Sequence, residues 1–307
     1  MKRLGLDIGH CNFAGAYFEP NKSRPSKIEV ASGQATIPAQ FMLTNEQLMK
    51  LRAWEENALE QIQEFKKRGI DTEIYPDYDF LNSLGNIVIG NDVPTVVEYG
   101  REFQYFKTIP ENFNEFFGES PFDQKKLNLR YGTLMACFCH ALIKNYIKYG
   151  QVFDENDREN LKLIVGCPST RKWTSDEAKE KYAKLIKKAT GVAQVEIIPE
   201  SRGALFGVSN EKKGISVADG VIIFDFGSLT ADCTYMITGV RMAEFSWELG
   251  ASCIEKEMTN LSIEYIENEC EKNGDVARIS DSNRIKAYRE LRVKKEKYFK
   301  EIRFIRN

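Results

Sequence analysis

Two stretches of the chain share one order of apolar and polar positions. Val221, Ile222, Ile223 and Phe224 predict a buried strand, Asp225 closes it, residues 227–230 predict a turn, and residues 232–237 predict a returning strand. Near the N-terminus, residues 3–9 run as an apolar strand into Asp7-Ile8-Gly9, a short polar turn follows, and residues 13–18 predict a second strand. Each stretch is a predicted β-hairpin with an acid at its mouth. Asp7 and Asp225 hold equivalent places in two similar units, a repetition that suits duplicated lobes better than a solenoid.

Between the hairpins the pattern changes period. Residues 27–30 suggest a third strand, and residues 33–41 an irregular passage into something helical. Thr44-Asn45-Glu46-Gln47 has the form of a capping box, in which a hydroxyl accepts N–H groups and a glutamine three residues on reaches back. Leu48, Leu51, Trp54, Leu59, Ile62 and Phe65 then follow helical spacing until Gly69 offers a left-handed stop. Residues 70–118 lack periodicity except for a strand at 86–89, closed by Gly90-Asn91-Asp92. This makes 41–118 an inserted subdomain of a first lobe spanning 1–209. A long core helix is predicted over 126–149, then a strand at 161–165, a helix at 176–189, a strand at 195–198 and a helix opening at Pro199-Glu200 and running to 206. Strand and helix in alternation predict an α/β lobe with strands at least partly parallel.

A second lobe, 210–307, begins with a polar loop at 210–220 and contains the second hairpin. Residues 241–247 continue its sheet. Ile254, Met258, Leu261, Ile263 and Ile266 mark a helix after Gly250, and residues 284–306 form a basic amphipathic pattern with Ile285, Tyr288, Leu291, Phe299 and Ile302 on a common side. Taken alone, that basic face reads as solvated.

Composition narrows the function. The chain has 307 residues, enough for two domains, with 42% hydrophobic and 29% charged residues, as in an ordinary soluble globular protein. A net charge of −2 gives no reason to expect nucleic acid or an anionic membrane as partner. Neither a signal-peptide core nor a membrane-length apolar run is present, which predicts a cytoplasmic location. Cys11, Cys137, Cys139, Cys167, Cys233, Cys253 and Cys270 form no C-x-x-C pair and read as reduced, mostly buried thiols. Cys137, Cys139 and His140 lie in a helical apolar pattern, so packing rather than a metal cluster is expected there.

The candidate chemistry lies in the two turns. Glycine, serine and threonine offer backbone N–H groups and hydroxyls to phosphate oxygens, and a carboxylate at a strand end can hold Mg²⁺ through water. Other phosphate-handling designs are missing: there is no G-x-x-x-x-G-K-[ST] loop, no G-x-G-x-x-G, and no H-R-D motif to accompany the D-F-G of 225–227. G-x-S-x-G and H-E-x-x-H are absent as well, and no separate sugar-binding motif stands out.

Four segments, in order, resemble the superfamily of actin, sugar kinases and the 70-kilodalton heat-shock chaperones, and most closely the chaperones' nucleotide-binding domain. G-L-D-I-G-H-C-N at 5–12 is similar to the first phosphate motif, and L-I-V-G-C-P-S-T-R at 163–171 to the connecting strand with its proline. I-I-P-E-S-R-G-A-L-F-G at 197–207 resembles the chaperone segment with an acid beside a proline. I-F-D-F-G-S-L-T-A-D at 223–232 resembles the second phosphate motif, with W-E-L-G-A-S at 247–252 as its downstream glycine turn.

The resemblance implies an α/β, actin-like ATPase fold of the ribonuclease H-like kind: two lobes, each a mixed sheet flanked by helices, with ATP or ADP in the cleft. Asp7, Glu200 and Asp225 would surround hydrated Mg²⁺, and Asp225 would orient the attacking water. Backbone amides of Gly9, His10 and Cys11, beside Asn12, would hold one side of the phosphates, and Gly227, Ser228 and Thr230 the other, with Gly250 downstream. Lys107 would match a phosphate-contacting lysine, Pro168 and Arg171 a pair relaying nucleotide state, and Glu296 and Lys300 residues that contact the adenosine. The implied function is weak ATP hydrolysis whose lobe closure controls a client, co-chaperone or appended domain. The alternatives are an actin-like filament-forming ATPase and a non-hydrolysing interaction module. Three departures stand out: His10 replaces the family's threonine, Ser228-Leu229 replace consecutive glycines, and the sequence ends at Asn307 ahead of the later adenosine motif, as a fragment or a shortened relative would.

Overall fold

The structure, a computed structural model, describes all residues except 1, 19–25, 28–35, 94–98, 105, 118–126, 150–153, 212–219, 229, 239, 248, 275–278, 281–282, 285–286, 289, 292–293, 296 and 299–307. The described residues form two compact units. The first comprises Met1–Phe117, Asn128–Phe224 and Asp232–Phe245, and the second Gly118–Leu127, Asp225–Ala231 and Ser246–Asn307.

In the first unit, β1 (Lys2–Ile8) alternates buried Leu4, Leu6 and Ile8 with more exposed neighbours, as a strand covered on one face must. It turns back into β2 (Asn12–Phe18), antiparallel and in register from Arg3 opposite Phe18 to Ile8 opposite Phe13. β3 (Ser26–Lys27) and β4 (Thr36–Pro38) both pair antiparallel with β2. The remainder of the predicted third strand, 28–30, lies outside the described residues. β5 (Gln40–Thr44) follows directly. Residues 36–41 of the expected irregular passage are therefore largely extended: each short piece finds a pairing partner distant in sequence, which local periodicity does not report.

The capping box is formed. Gln47 N–H donates to Thr44 Oγ1 (3.2 Å), the Gln47 side-chain oxygen accepts from Thr44 N–H (2.9 Å), and α1 (Asn45–Lys67) runs on to Gly69 at φ +73°. Its buried positions are Gln47, Leu48, Leu51, Glu55, Ala58 and Ile62, whereas Trp54, Leu59 and Phe65 are half-buried. α2 (Tyr78–Ser83) starts at Asp77, whose carboxylate accepts from Phe80 N–H, and Phe80 stacks on Trp54 with ring centroids 5.4 Å apart. β6 (Val88–Ile89), closed by a 3₁₀ turn at Gly90–Asp92, and β7 (Gly100–Gln104) flank β5 on either side, both antiparallel. This small sheet is the core of the predicted insert.

α3 (Tyr131–Tyr149) is buried almost all round, as expected of a helix this apolar. It begins five residues later than the sequence pattern suggests. Asn128 is left-handed (φ +54°), Phe117 N–H donates to Leu129 O (2.7 Å), and Arg130 bridges to Phe116, so residues 128–130 are committed to the chain beside them. Phe138 of α3 meets Phe13, Phe41 and Phe106 at centroid distances of 5.4, 6.3 and 4.9 Å. Those rings tie both sheets to one helix, and each such pair adds about 0.5–1.5 kcal/mol beyond its area.

β8 (Leu161–Cys167) lies parallel to β1, followed by the single turn α4 (Arg171–Thr174) and α5 (Asp176–Thr190), which ends at left-handed Gly191. β9 (Gln194–Pro199) lies parallel to β8 and leads directly into α6 (Glu200–Glu211). The main sheet thus has the order β3-β2-β1-β8-β9, with β4 also on β2, antiparallel on one side of β1 and parallel on the other. His140 is packed: its Nδ1–H donates to Ala189 O (3.0 Å), holding α3 to α5.

A second sheet has the order β10 (Val221–Phe226), β11 (Ala231–Ile237), β12 (Val240–Trp247). β10 is not the buried strand its apolar run suggests: Ile222 and Phe224 are 59% and 60% exposed. Its neighbour β11 buries Asp232, Thr234 and Met236 on a single face, so strict alternation, not full enclosure, governs this sheet. α7 (Ala251–Lys272) follows. The described residues between 283 and 298 are helical; Ile285, Phe299 and Ile302 of the predicted apolar side lie outside them. Fewer thiols are enclosed than expected: Cys137, Cys139 and Cys167 are buried, Cys11, Cys233 and Cys270 intermediate, and Cys253 exposed.

Candidate functional site

In the first unit the β1–β2 turn comes straight from strand register. Leu6 and Ile8 point into the core, so Asp7 between them is exposed at the end of β1. A side chain on Gly9 would stand 2.6 Å from Asn12 O, so only glycine allows the reversal to be this tight. Gly9, His10 and Cys11 are half-buried and Asn12 exposed, and Cys11 O is held by Ala39 N–H (2.8 Å).

Glu200 opens α6 at the end of β9, next to the strand that follows β1 in the sheet. Lys107 reaches it from the segment after β7: Nζ lies 3.4 Å from Glu200 Oε1, with the lysine side chain 6% exposed and the glutamate 21%. The same ammonium sits 5.3 Å from the ring centroid of Trp173. Gly166 makes room for this contact, since a Cβ there would be 3.0 Å from Glu200 Cγ. Burial above all raises the Glu200 carboxyl pKa; Lys107 opposes the rise, and the charges of Asp7 and Asp232 add to it. Burial, and then the Glu200 charge, push the Cys167 thiol up to about 12. Asp7, Lys107 and Glu200, widely separated in sequence, therefore act on one another electrostatically. Asp232 joins them, and sequence reasoning passed over it as a site residue; its signal was its place on the inward face of β11 with Thr234 and Met236.

Pro168 follows β8 half-buried, and Arg171 opens α4 on the surface. Arg171, Thr174, Ser175, Arg241, Met242, Ala243 and Glu244 line a pocket of about 570 Å³. Arg241 Nη1 donates to Ser169 O (2.9 Å), Thr174 Oγ1 (3.2 Å) and Glu244 Oε2 (2.7 Å).

The second unit carries the other turn. Asp225 is half-buried near the end of β10. Gly227 N–H donates to Thr230 O (2.9 Å), closing the turn on itself. Gly227 O accepts from Ala251 N–H (3.0 Å), and Ser228 O accepts from both Ser252 N–H (2.8 Å) and Ser252 Oγ (2.6 Å). α7 has buried Gly250 as its N-cap and no side-chain cap. The turn carbonyls do that work instead, taking N–H groups that a helix start leaves unpaired. Leu229, Glu296 and Lys300 lie outside the described residues.

Among the described residues, no group of three His, Cys, Asp or Glu side chains is placed to hold a metal ion directly, and no helix is long and apolar enough to cross a membrane.

The mixed sheet of order β3-β2-β1-β8-β9, flanked by helices, is that of an actin-like fold. Structural comparison agrees. MreB 5 of Spiroplasma citri bound to AMPPNP matches with a TM-score of 0.50 over 92% of this chain at 13% identity, and MreB5 of Spiroplasma citri bound to ADP with 0.46 over 92% at 14%. The chain spans 60% of the length of each. No family model and no curated protein matches the sequence. At this identity the likeness to the AMPPNP-bound structure shows an actin-like fold alone; the kinship with the chaperone branch, expected from the motifs, is not what it supports.

Proposed function

We propose that the chain is a nucleotide-binding module of the actin-like ATPase class, taking ATP and ADP. The observation that carries this reading is the buried Lys107–Glu200 pair beside strand-end Asp7. A lysine held by one carboxylate and one indole face is a poised phosphate ligand, because a phosphoryl oxygen can share its ammonium without leaving it unpaired. Gly9, His10, Cys11 and Asn12 supply the first turn. Ser228 and Thr230 supply donors from the second, where Gly227 N–H is engaged within the turn.

The acidic groups fit hydrated Mg²⁺. Asp7 and Glu200 are hard oxygen donors, and the desolvation that Lys107 does not fully offset at Glu200 is what a dication would relieve. Bound there, Mg²⁺ would neutralise phosphate charge, and Asp7 and Glu200 in the first unit and Asp225 in the second are the carboxylates that would hold it through water. Asp225 orients the water that attacks the γ-phosphorus as the bond to the ADP oxygen breaks.

For the use made of the nucleotide, the likeness to MreB 5, crystallised with AMPPNP, favours actin-like assembly over control of a chaperone client. Two measurements test the reading. Mg-ATP or Mg-ADP at about 100 times its dissociation constant stabilises a binder by about 2.7 kcal/mol, so an unchanged melting temperature would leave only a non-binding interaction module. Asp225→Asn lowers hydrolysis more than binding, and equal hydrolysis by variant and wild type refutes its role. Light scattering with and without Mg-ATP distinguishes assembly from a solitary switch.

A further inference from the structure

The second unit contains a buried ion pair that neither turn motif predicts. Lys295 Nζ lies 2.5 Å from Glu255 Oε1 and 3.3 Å from Ala251 O, with the lysine side chain 10% exposed and the glutamate 3%. Glu255 Oε2 is buried with no hydrogen-bond partner among the described residues. Glu255 stands one helical turn after Ala251, at the start of α7.

Two observations connect this pair to the turn at 227–230. Ala251 is engaged on both sides: its N–H donates to Gly227 O and its carbonyl accepts from Lys295. Next to it, Ser252 places its N–H and its hydroxyl on the single oxygen of Ser228. A chain of short polar contacts therefore runs from Lys295 through the first residue of α7 into the backbone of the turn. The turn has no consecutive glycines and carries a bulkier Ser228-Leu229, so its shape must be imposed from outside.

We infer that Lys295 and Glu255 are positioning residues for the phosphate-binding turn. Their pair fixes the first turn of α7, and α7 in turn fixes the peptide planes of Gly227 and Ser228. This rests on the nucleotide reading above and deepens it. The pair touches no phosphate; it sets where the donors of the turn point. Loosening it therefore weakens ligands that carry a phosphate chain and spares the nucleoside.

The test compares Mg-ADP with adenosine by calorimetry, alongside amide hydrogen exchange in nucleotide-free protein. Lys295→Met is expected to weaken Mg-ADP about tenfold, the scale of one charged hydrogen bond, to leave adenosine affinity unchanged, and to speed exchange at Ala251 and Ser252. Because Lys295→Met strands a buried carboxylate, the double variant Glu255→Leu with Lys295→Met is measured too. It regains melting temperature, since the stranded charge is gone, without regaining Mg-ADP affinity. Equal losses for Mg-ADP and adenosine, or full recovery of Mg-ADP binding in the double variant, would reduce the pair to a merely structural role and overturn the inference. Wild-type affinity in Lys295→Met overturns it as well. A wild-type chain that binds no Mg-ADP overturns the nucleotide reading and this inference with it, an outcome visible before any variant is made.

Discussion

The strongest single perturbation available in the first unit is at Glu55. Its carboxylate accepts from Arg130 Nε (2.6 Å), Arg130 Nη2 (3.4 Å), Arg130 N–H (3.1 Å) and Thr133 Oγ1 (2.6 Å). The guanidinium also donates to Asn114 Oδ1 (3.2 Å) and Ile74 O (2.8 Å) and lies 5.9 Å from the Tyr75 ring centroid. Both side chains are 1% exposed. Both carboxylate oxygens and all three guanidinium nitrogens are engaged, so the pair offsets much of its own desolvation and joins α1 to the start of α3. Arg130→Met leaves a carboxylate in the core with one hydroxyl and one amide, and breaking such a pair costs about 3–5 kcal/mol. Glu55→Leu strands the guanidinium instead, at a similar cost. The double variant removes both charges and leaves Thr133 Oγ1, Asn114, Ile74 O and the backbone N–H of residue 130 short of partners, at about 1–3 kcal/mol for each one that water does not reach. It should therefore be no less stable than either single variant, with a coupling energy of several kcal/mol. Urea unfolding followed by near-ultraviolet circular dichroism measures this, and a single variant should lose on the order of 10 °C in melting temperature. Single-variant costs below about 1 kcal/mol, or costs that simply add in the double variant, would refute the argument that the charges are held by each other.

Further expectations concern acidity and thiols. Because the folded-state pKa of Glu200 is raised above its ordinary value near 4.5, the folded protein keeps a proton that the unfolded chain has released. Its contribution to stability is thus full below that value and is lost as pH rises through the raised one. Melting temperature should fall more steeply with rising pH in this window for wild type than for Glu200→Gln; parallel curves would contradict the assignment. If Glu200 holds hydrated Mg²⁺ as proposed above, Mg-ADP binding should strengthen over the same window, and unchanged affinity would contradict that role. Toward a thiol-specific chromophore, Cys253 should react first, whereas Cys137, Cys139 and Cys167 should stay silent until denaturant is added, because all three are buried with thiol pKa values pushed up. Rapid modification of Cys167 in native protein would show that β8 is accessible.

Much of the fold was legible because its signals are local. The capping box at Thr44, the stop at Gly69, the β1–β2 hairpin and the alternation of strand and helix from β8 to α6 each depend on residues a few positions apart, where period and turn chemistry decide the conformation. The same reading misplaced residues 36–41, whose strands owe their existence to β2, β6 and β7, and it overestimated the burial of Ile222 and Phe224, because an apolar run does not reveal whether both faces will be covered. Glu55 was hidden for another reason. Its spacing with Leu48, Leu51, Ala58 and Ile62 puts it in the buried seam of α1, but a glutamate on a helix is ordinarily solvated, and only the arrival of Arg130 makes burial affordable.

The candidate site divides along the same line. The sequence by itself pointed to two acid-and-turn hairpins of a kind that can meet phosphate, and the resemblance it carries added Glu200 and Lys107. Only tertiary structure decided that Lys107 meets Glu200, that Gly166 gives the glutamate room, that Asp232 adds its charge, and that the turn at 227–230 is held by α7 and, behind it, Lys295. Hydrogen-bond and apolar periodicities are written along the chain, whereas the charge on a buried carboxyl depends on neighbours brought from far away, and no local pattern encodes their distance.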